Sequence, residues 1–271
     1  MQLKVWRRLL KKEIQILKEN SLESLNKIST VASIGGGPIG AGWAAHFLAK
    51  GLNVKCYLHS ENEIDDYKSL IKMAWETLEK LGIDEAASFE KMQISTNLKE
   101  SLTEVDFVQE SIPEILNVKQ DFYSQIDLFL NPNVIIASST SGLLISDIVK
   151  NCNTRNRAIV GHPFNPPYLL PLVEVVTGEH TNKLCVDQAV SFYKAIGKVP
   201  IVLKKEIPGF IATRLQEALW REALHMVAND EATPEQIDLA LINGPAPRMA
   251  YQGQCMAFHV ACGEGGMATN L

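Results

Sequence analysis

Beyond residue 29 the chain alternates short apolar runs with longer stretches in which apolar residues recur every three or four positions. TVASIG (30–35), LNVKCYL (52–58), DFVQE (106–110) and NVIIASS (133–139) have strand length and end near small or polar residues. Residues 39–50, 64–81 and 118–130 carry helical spacing between them. Strand and helix in alternation predict a parallel sheet with helices on both faces. RAIVGH (157–162) and PLVEVV (171–176) extend that sheet, and VPIVLKK (199–205) adds another strand after a helix over 182–196. No internal repeat or low-complexity segment interrupts the pattern.

At Ile207-Pro208-Gly209 the character changes. Residues 210–228 read as one long helix, and Thr233-Pro234-Glu235-Gln236 opens another. Thr233 suits the N-cap and Pro234 the first helical position, and Gln236 completes a capping box. The expected organisation is an α/β domain over 30–207, then a smaller all-α domain over 208–271. The tail GEGGMATNL has no clear helical pattern, so that second domain is expected to be incomplete. Residues 1–29 stand apart as a basic amphipathic extension. Val5, Leu9, Ile16 and Leu17 lie near one helical face, with Lys and Arg over much of the rest. An extra helix packed on the domain surface is the simpler reading, a helix resting on a membrane the other.

Composition narrows the possible roles. With 271 residues the chain can bury a substantial core without metals or disulfides. Its formal net charge of −5 gives no electrostatic footprint for nucleic acid. Cys56, Cys152, Cys185, Cys255 and Cys262 are odd in number and form no CxxC pair, as expected of reduced thiols in a cytoplasmic protein. No apolar run is long enough to span a bilayer, and no secretory leader is evident.

Two segments carry chemistry. Gly35, Gly37 and Gly40 satisfy G-x-G-x-x-G after a strand and into a helix, with Pro38 and Ile39 inside the turn. The first glycine permits a tight turn and the second a close approach of pyrophosphate. The third lets the helix near the sheet, so that its N-terminal amides face the phosphates. This predicts a Rossmann-type NAD site. Such sites close their second strand on Asp or Glu, about twenty residues later, to hold the adenine ribose. Here that strand ends on Leu58 and His59, so the ribose contact is either absent or supplied elsewhere, with Glu61 a nearby acid a few residues on. With no Arg beside Leu58, a 2′-phosphate has no evident partner and NADP is disfavoured.

The second segment is GHPFNPPYLLPLVEVV (161–176). His162 follows an apolar strand and should stand at its carboxyl end, the edge that lines the ligand crevice in open α/β sheets. Glu174 lies inside the next apolar strand, where a carboxylate is costly unless paired, and a histidine on the neighbouring strand is its simplest partner. Ser138 to Gly142 brings hydroxyls to the same edge. His46 is expected at the surface or in packing.

GGGPIGAGW, DFVQESIPE, IIASSTSGLL, VGHPFNPPYLLPLVEVV, KEIPGFIATRLQEALWREALH and TPEQID, between Val31 and Gly244, resemble the 3-hydroxyacyl-CoA dehydrogenase family. ALWREALH and HPFNPPYLLPLVEVV favour its carnitine-oxidising branch. The resemblance implies NAD-dependent oxidation of a small 3-hydroxy acid, foremost L-carnitine to 3-dehydrocarnitine, by a homodimer joined through the helical domain, with no metal. Position by position, it implies a His162–Glu174 catalytic pair, with Ser141 and Asn165 holding the reacting hydroxyl. Glu114 and Lys119 match positions at the nicotinamide end of the cofactor. Thr213 stands where acyl-CoA members carry Asn, and Leu58 replaces the ribose-binding Asp. For a trimethylammonium substrate, Tyr168, Phe210, Trp220 and Tyr251 are candidates for an aromatic box. Other substrates open to the same chemistry are a 3-hydroxyacyl-CoA and an L-gulonate-type sugar acid. A catalytically weak, crystallin-like or nucleotide-binding relative is the rival from another class.

Overall fold

The computed structural model describes residues 28–269, so the expectations for the N-terminal extension lie outside the described residues. The chain divides into two units, one ending at Ile211 and the other beginning at Ala212.

The first unit is a Rossmann-type eight-stranded sheet in the order β3-β2-β1-β4-β5-β6-β7-β8. Its strands are β1 (Thr30–Ile34), β2 (Asn53–Tyr57), β3 (Met92–Ser95), β4 (Phe107–Glu110), β5 (Ile135–Ser138), β6 (Ala158–Pro163), β7 (Leu172–Thr177) and β8 (Val199–Val202). All neighbours pair parallel except β6 and β7, which run antiparallel. The helices are α1 (Pro38–Ala49), α2 (Ile64–Leu81), α3 (Leu98–Ser101), α4 (Leu116–Asp127), α5 (Ile145–Ile148) and α6 (Lys183–Ala195).

The apolar runs are continuous because both faces of the central strands are covered. Val31, Phe107, Ile135, Ile159 and Val175 pack in one cluster with Trp43 and Phe47 of α1. Their strand neighbours Ala32, Val108, Ile136, Val160 and Val176 pack in a second cluster with Tyr123 and Ile126 of α4. Alternation of side chains along each strand divides every run between the two layers. Helix α1 is buried almost all round. Helix α2 buries only Tyr67, Ile71, Ala74, Trp75 and Leu78, the single stripe its period predicts.

Two features depart from the sequence pattern. Strand β3 is four residues at the sheet edge, none of them buried, and so lacks an apolar run. The long helix of the second unit begins at Ala212, because Gly209 and Phe210 both take left-handed backbone, with φ of 70° and 48°. That unit holds α7 (Ala212–Ala228), α8 (Pro234–Asn243), α9 (Pro245–Met249) and α10 (Gln254–Ala261), followed by a 3₁₀ turn at 263–269. Thr233 and Gln236 form the expected capping box on α8. No described helix is long and apolar enough to cross a membrane.

Candidate active site

The glycine turn between β1 and α1 is shaped by what a side chain would strike. Gly35 has φ of 113°, and a Cβ there would lie 2.4 Å from the Ser111 carbonyl oxygen. A Cβ on Gly40 would lie 2.1 Å from the Gly35 carbonyl oxygen, which bars any larger residue from this helix–turn contact. Above Gly37 nothing lies within 4 Å. Gly37 is the N-cap of α1 and offers no side-chain cap, so first-turn amides behind Pro38 face this open space near half-buried Ile39. A cradle of backbone donors with no side chain in it fits a pyrophosphate, and the turn fits NAD.

Leu58 is fully buried in the core and presents no acceptor. Glu61 is exposed on the following 3₁₀ turn. The carboxylate that reaches the glycine turn is that of Glu63, whose Oε2 would lie 2.5 Å from a Cβ on Gly36. Residue spacing alone does not single out Glu63 over Glu61.

Antiparallel pairing of β6 and β7 sets His162 directly opposite Glu174. Both share strand parity with Val160 and Val176, so both face the second cluster. Here His162 Nδ1 lies 2.8 Å from Glu174 Oε2. The Ile211 amide donates to Oε1 of the same carboxylate at 2.9 Å. With Nδ1 held by a carboxylate, the ring carries its proton there when neutral, and Nε2 is the basic nitrogen. Phe210 packs 5.5 Å from the His162 ring and Phe164 5.9 Å, centroid to centroid. Phe164 was not among the residues singled out from the sequence, although it lies between His162 and Asn165.

Beside this pair the ends of β4 and β5 carry a buried polar network. Lys119 Nζ donates to Glu110 Oε1 at 2.6 Å and to the Ile112 carbonyl at 3.2 Å. Ser138 donates to the other Glu110 oxygen at 2.7 Å and Tyr123 at 3.2 Å. Burial, and then the Glu110 charge, holds the Tyr123 phenol well above its usual range, so it remains a donor. Lys119 therefore spends its charge chiefly on Glu110, and Glu114 lies 3.6 Å from it. Glu110 was not singled out from the sequence; its signal is an acid closing the short DFVQE run at a strand's carboxyl end. Glu114 Oε1 accepts from the Ser141 amide at 2.9 Å and from Thr140 Oγ1, which fixes the Ser141 turn. A Cβ on Gly142 would lie 3.6 Å from the Gly209 nitrogen, so this turn runs against the residue preceding Phe210.

The remaining candidates lie on several elements. Asn165 is exposed in the turn after β6, with a cis bond to Pro166. Tyr168 packs with the first cluster, against Gly42 of α1, whereas Phe210 belongs to the second. Thr213 and Trp220 lie on α7 and Tyr251 between α9 and α10, all in the second unit. Of the two aromatic candidates in the first unit, Phe210 packs beside His162 and Tyr168 in the other layer. His46 is buried, its Nε2 2.9 Å from the Ile196 carbonyl, a packing residue. Among the described residues no cluster of His, Cys, Asp and Glu could hold a metal ion. Burial pushes the Cys56 and Cys185 thiols up to about 12 and Cys152 to about 11.

Residues 30–207 match the 3-hydroxyacyl-CoA dehydrogenase NAD binding domain, and residues 209–268 match the C-terminal domain of the same family. An L-carnitine dehydrogenase of Nocardiopsis dassonvillei is 48% identical over 255 residues, 94% of this chain and 78% of that protein. Another, from Pseudomonas putida, is 41% identical over 243 residues, 90% of this chain and 76% of its own length. The (S)-3-hydroxybutyryl-CoA dehydrogenase of Ralstonia eutropha superposes with a TM-score of 0.72 at 30% identity, over 79% of this chain and 76% of that one. An NAD+-dependent 5-formyl-3-hydroxy-2-methylpyridine 4-carboxylic acid 5-dehydrogenase reaches 0.81 at 30% identity, over 86% and 76%. With two consecutive domain models matched along nearly all of the described residues, the chain belongs to the 3-hydroxyacyl-CoA dehydrogenase family.

Proposed function

We propose that this protein oxidises L-carnitine to 3-dehydrocarnitine with NAD, His162 acting as the general base. The observation that carries the mechanism is the 2.8 Å contact of His162 Nδ1 with buried Glu174. The substrate assignment rests on relatives named L-carnitine dehydrogenase at 41–48% identity over about nine-tenths of the chain.

Neutral His162 takes the hydroxyl proton on Nε2 as the C3 hydrogen leaves with its electron pair, and a ketone remains. NAD, when bound, supplies the carbon that accepts this hydride. Glu174 orients the ring through Nδ1 and stabilises the imidazolium that forms. Its second oxygen is already engaged by the Ile211 amide, which keeps the carboxylate in place. Ser141 and Asn165 hold the substrate oxygen as charge grows on it. Gly35, Gly37 and Gly40 cradle the pyrophosphate, and Glu114, backed by Lys119, lines the nicotinamide end. Residues 30–207 form the NAD-binding domain and 208–271 a helical domain through which a cytoplasmic homodimer assembles. Phe210 supplies one aromatic face near the reacting carbon.

NADH formation at 340 nm, measured with L-carnitine, D-carnitine, L-gulonate and 3-hydroxybutyryl-CoA, tests this reading. Turnover of L-carnitine in clear preference to the others is expected. Preference for the acyl-CoA would move the substrate assignment, and turnover of none of them would overturn the reading.

A further inference from the structure

The second strand of the nucleotide fold lacks the acid that normally takes the adenine ribose, and Leu58 in its place is sealed in the core. We propose that Glu63, from the turn before α2, is the residue that holds the adenine-ribose hydroxyls in this protein; the inference rests on NAD being the cofactor.

The placement supports this on three counts. First, Glu63 and Leu58 converge on one point of the glycine turn. A Cβ built on Gly36 would lie 2.5 Å from Glu63 Oε2, 3.3 Å from its carboxyl carbon and 3.4 Å from Leu58 Cδ2. A carboxylate that enters beside Leu58 thus occupies the neighbourhood into which an acid at position 58 would project. Second, Gly36 is the variable position of G-x-G-x-x-G, where the phosphate site itself does not require glycine. Gly36 leaves that carboxylate room, since a Cβ at 36 would require it to shift. Third, the backbone that delivers Glu63 is locally fixed. Ser60 caps the 3₁₀ turn by accepting from the Asn62 amide, and the Glu63 amide donates to the Ser60 carbonyl at 3.1 Å.

A carboxylate accepts from both vicinal hydroxyls of a ribose and repels a 2′-phosphate. Glu63 accordingly strengthens NAD and disfavours NADP, the discrimination that an acid at the end of β2 gives elsewhere.

The test is direct binding to the full chain, by NADH fluorescence and calorimetry, of wild type and Glu63→Gln. The ligands are NADH, NADPH and an NADH analogue without the adenine-ribose 2′- and 3′-hydroxyls. Loss of a charged acceptor is expected to raise the NADH Kd roughly ten- to a hundredfold. The same variant should leave the analogue's Kd nearly unchanged and narrow the preference for NADH over NADPH. An unchanged NADH Kd in Glu63→Gln overturns the assignment, and so does an equal loss for NADH and the analogue, which would mark a merely structural role. Wild type that binds no NADH would instead strike the cofactor reading beneath it, so the two failures are distinguishable.

Discussion

His46 lies on α1, where burial and then the Lys198 charge push its pKa from 6.5 down to about 3. The folded chain keeps this ring neutral, with Nε2–H given to the Ile196 carbonyl. Below pH 6.5 the unfolded chain binds a proton at this ring that the folded chain refuses. Stability is therefore lost as pH falls, by up to about 1.4 kcal/mol per pH unit until the folded ring also protonates. Urea unfolding at pH 7, 6, 5 and 4 should show wild type losing stability faster than His46→Gln; parallel declines would contradict it. The sequence left His46 between surface and packing, because its partner is a carbonyl 150 residues away. Leu58 was legible as a missing acid from its register alone. Glu63 was not, since its reach depends on a turn that folds back over Gly36.

At the scale of elements, the strand and helix pattern was readable wherever burial was strong. Strands β1, β2, β4, β5, β6 and β7 appear in the sequence as apolar runs, because layers cover the sheet on both faces. Edge strand β3 escaped notice, since a half-exposed strand of four residues need not be apolar. The antiparallel β6–β7 pair matters most for the candidate site. A parallel neighbour in another register would not place Glu174 opposite His162, and a slip by one residue would turn either side chain to the other layer. Gly161 keeps that register close-packed. A Cβ there would lie 2.1 Å from the Tyr193 hydroxyl, which itself donates to Gln109 at 2.7 Å. Gly161→Ala should destabilise the first unit by about 1–3 kcal/mol in chemical denaturation, through overpacking. Unchanged stability would show that Tyr193 and Gln109 repack freely.

For the whole molecule, fold alone leaves the reaction open, because one architecture serves many activities. Family membership and the polar groups on one sheet edge narrow it. The sequence brought His162, Glu174 and the Ser141 turn to that edge correctly as neighbours in the fold, through strand ends and pairing. Which layer Tyr168 and Phe210 each join was not legible, since short segments around turns carry no strand parity. Phe210 faces the pair, and Tyr168 packs in the opposite layer.

The central claim is that His162, held by Glu174, removes the substrate proton. It is tested most directly by kcat with L-carnitine in wild type, His162→Ala and Glu174→Gln, alongside NADH affinity for each. The expected result is a fall in kcat of about 10²–10⁴-fold for His162→Ala and a substantial but smaller fall for Glu174→Gln, with NADH affinity preserved in both. A His162→Ala variant that binds NADH and turns over L-carnitine near the wild-type rate would contradict the account.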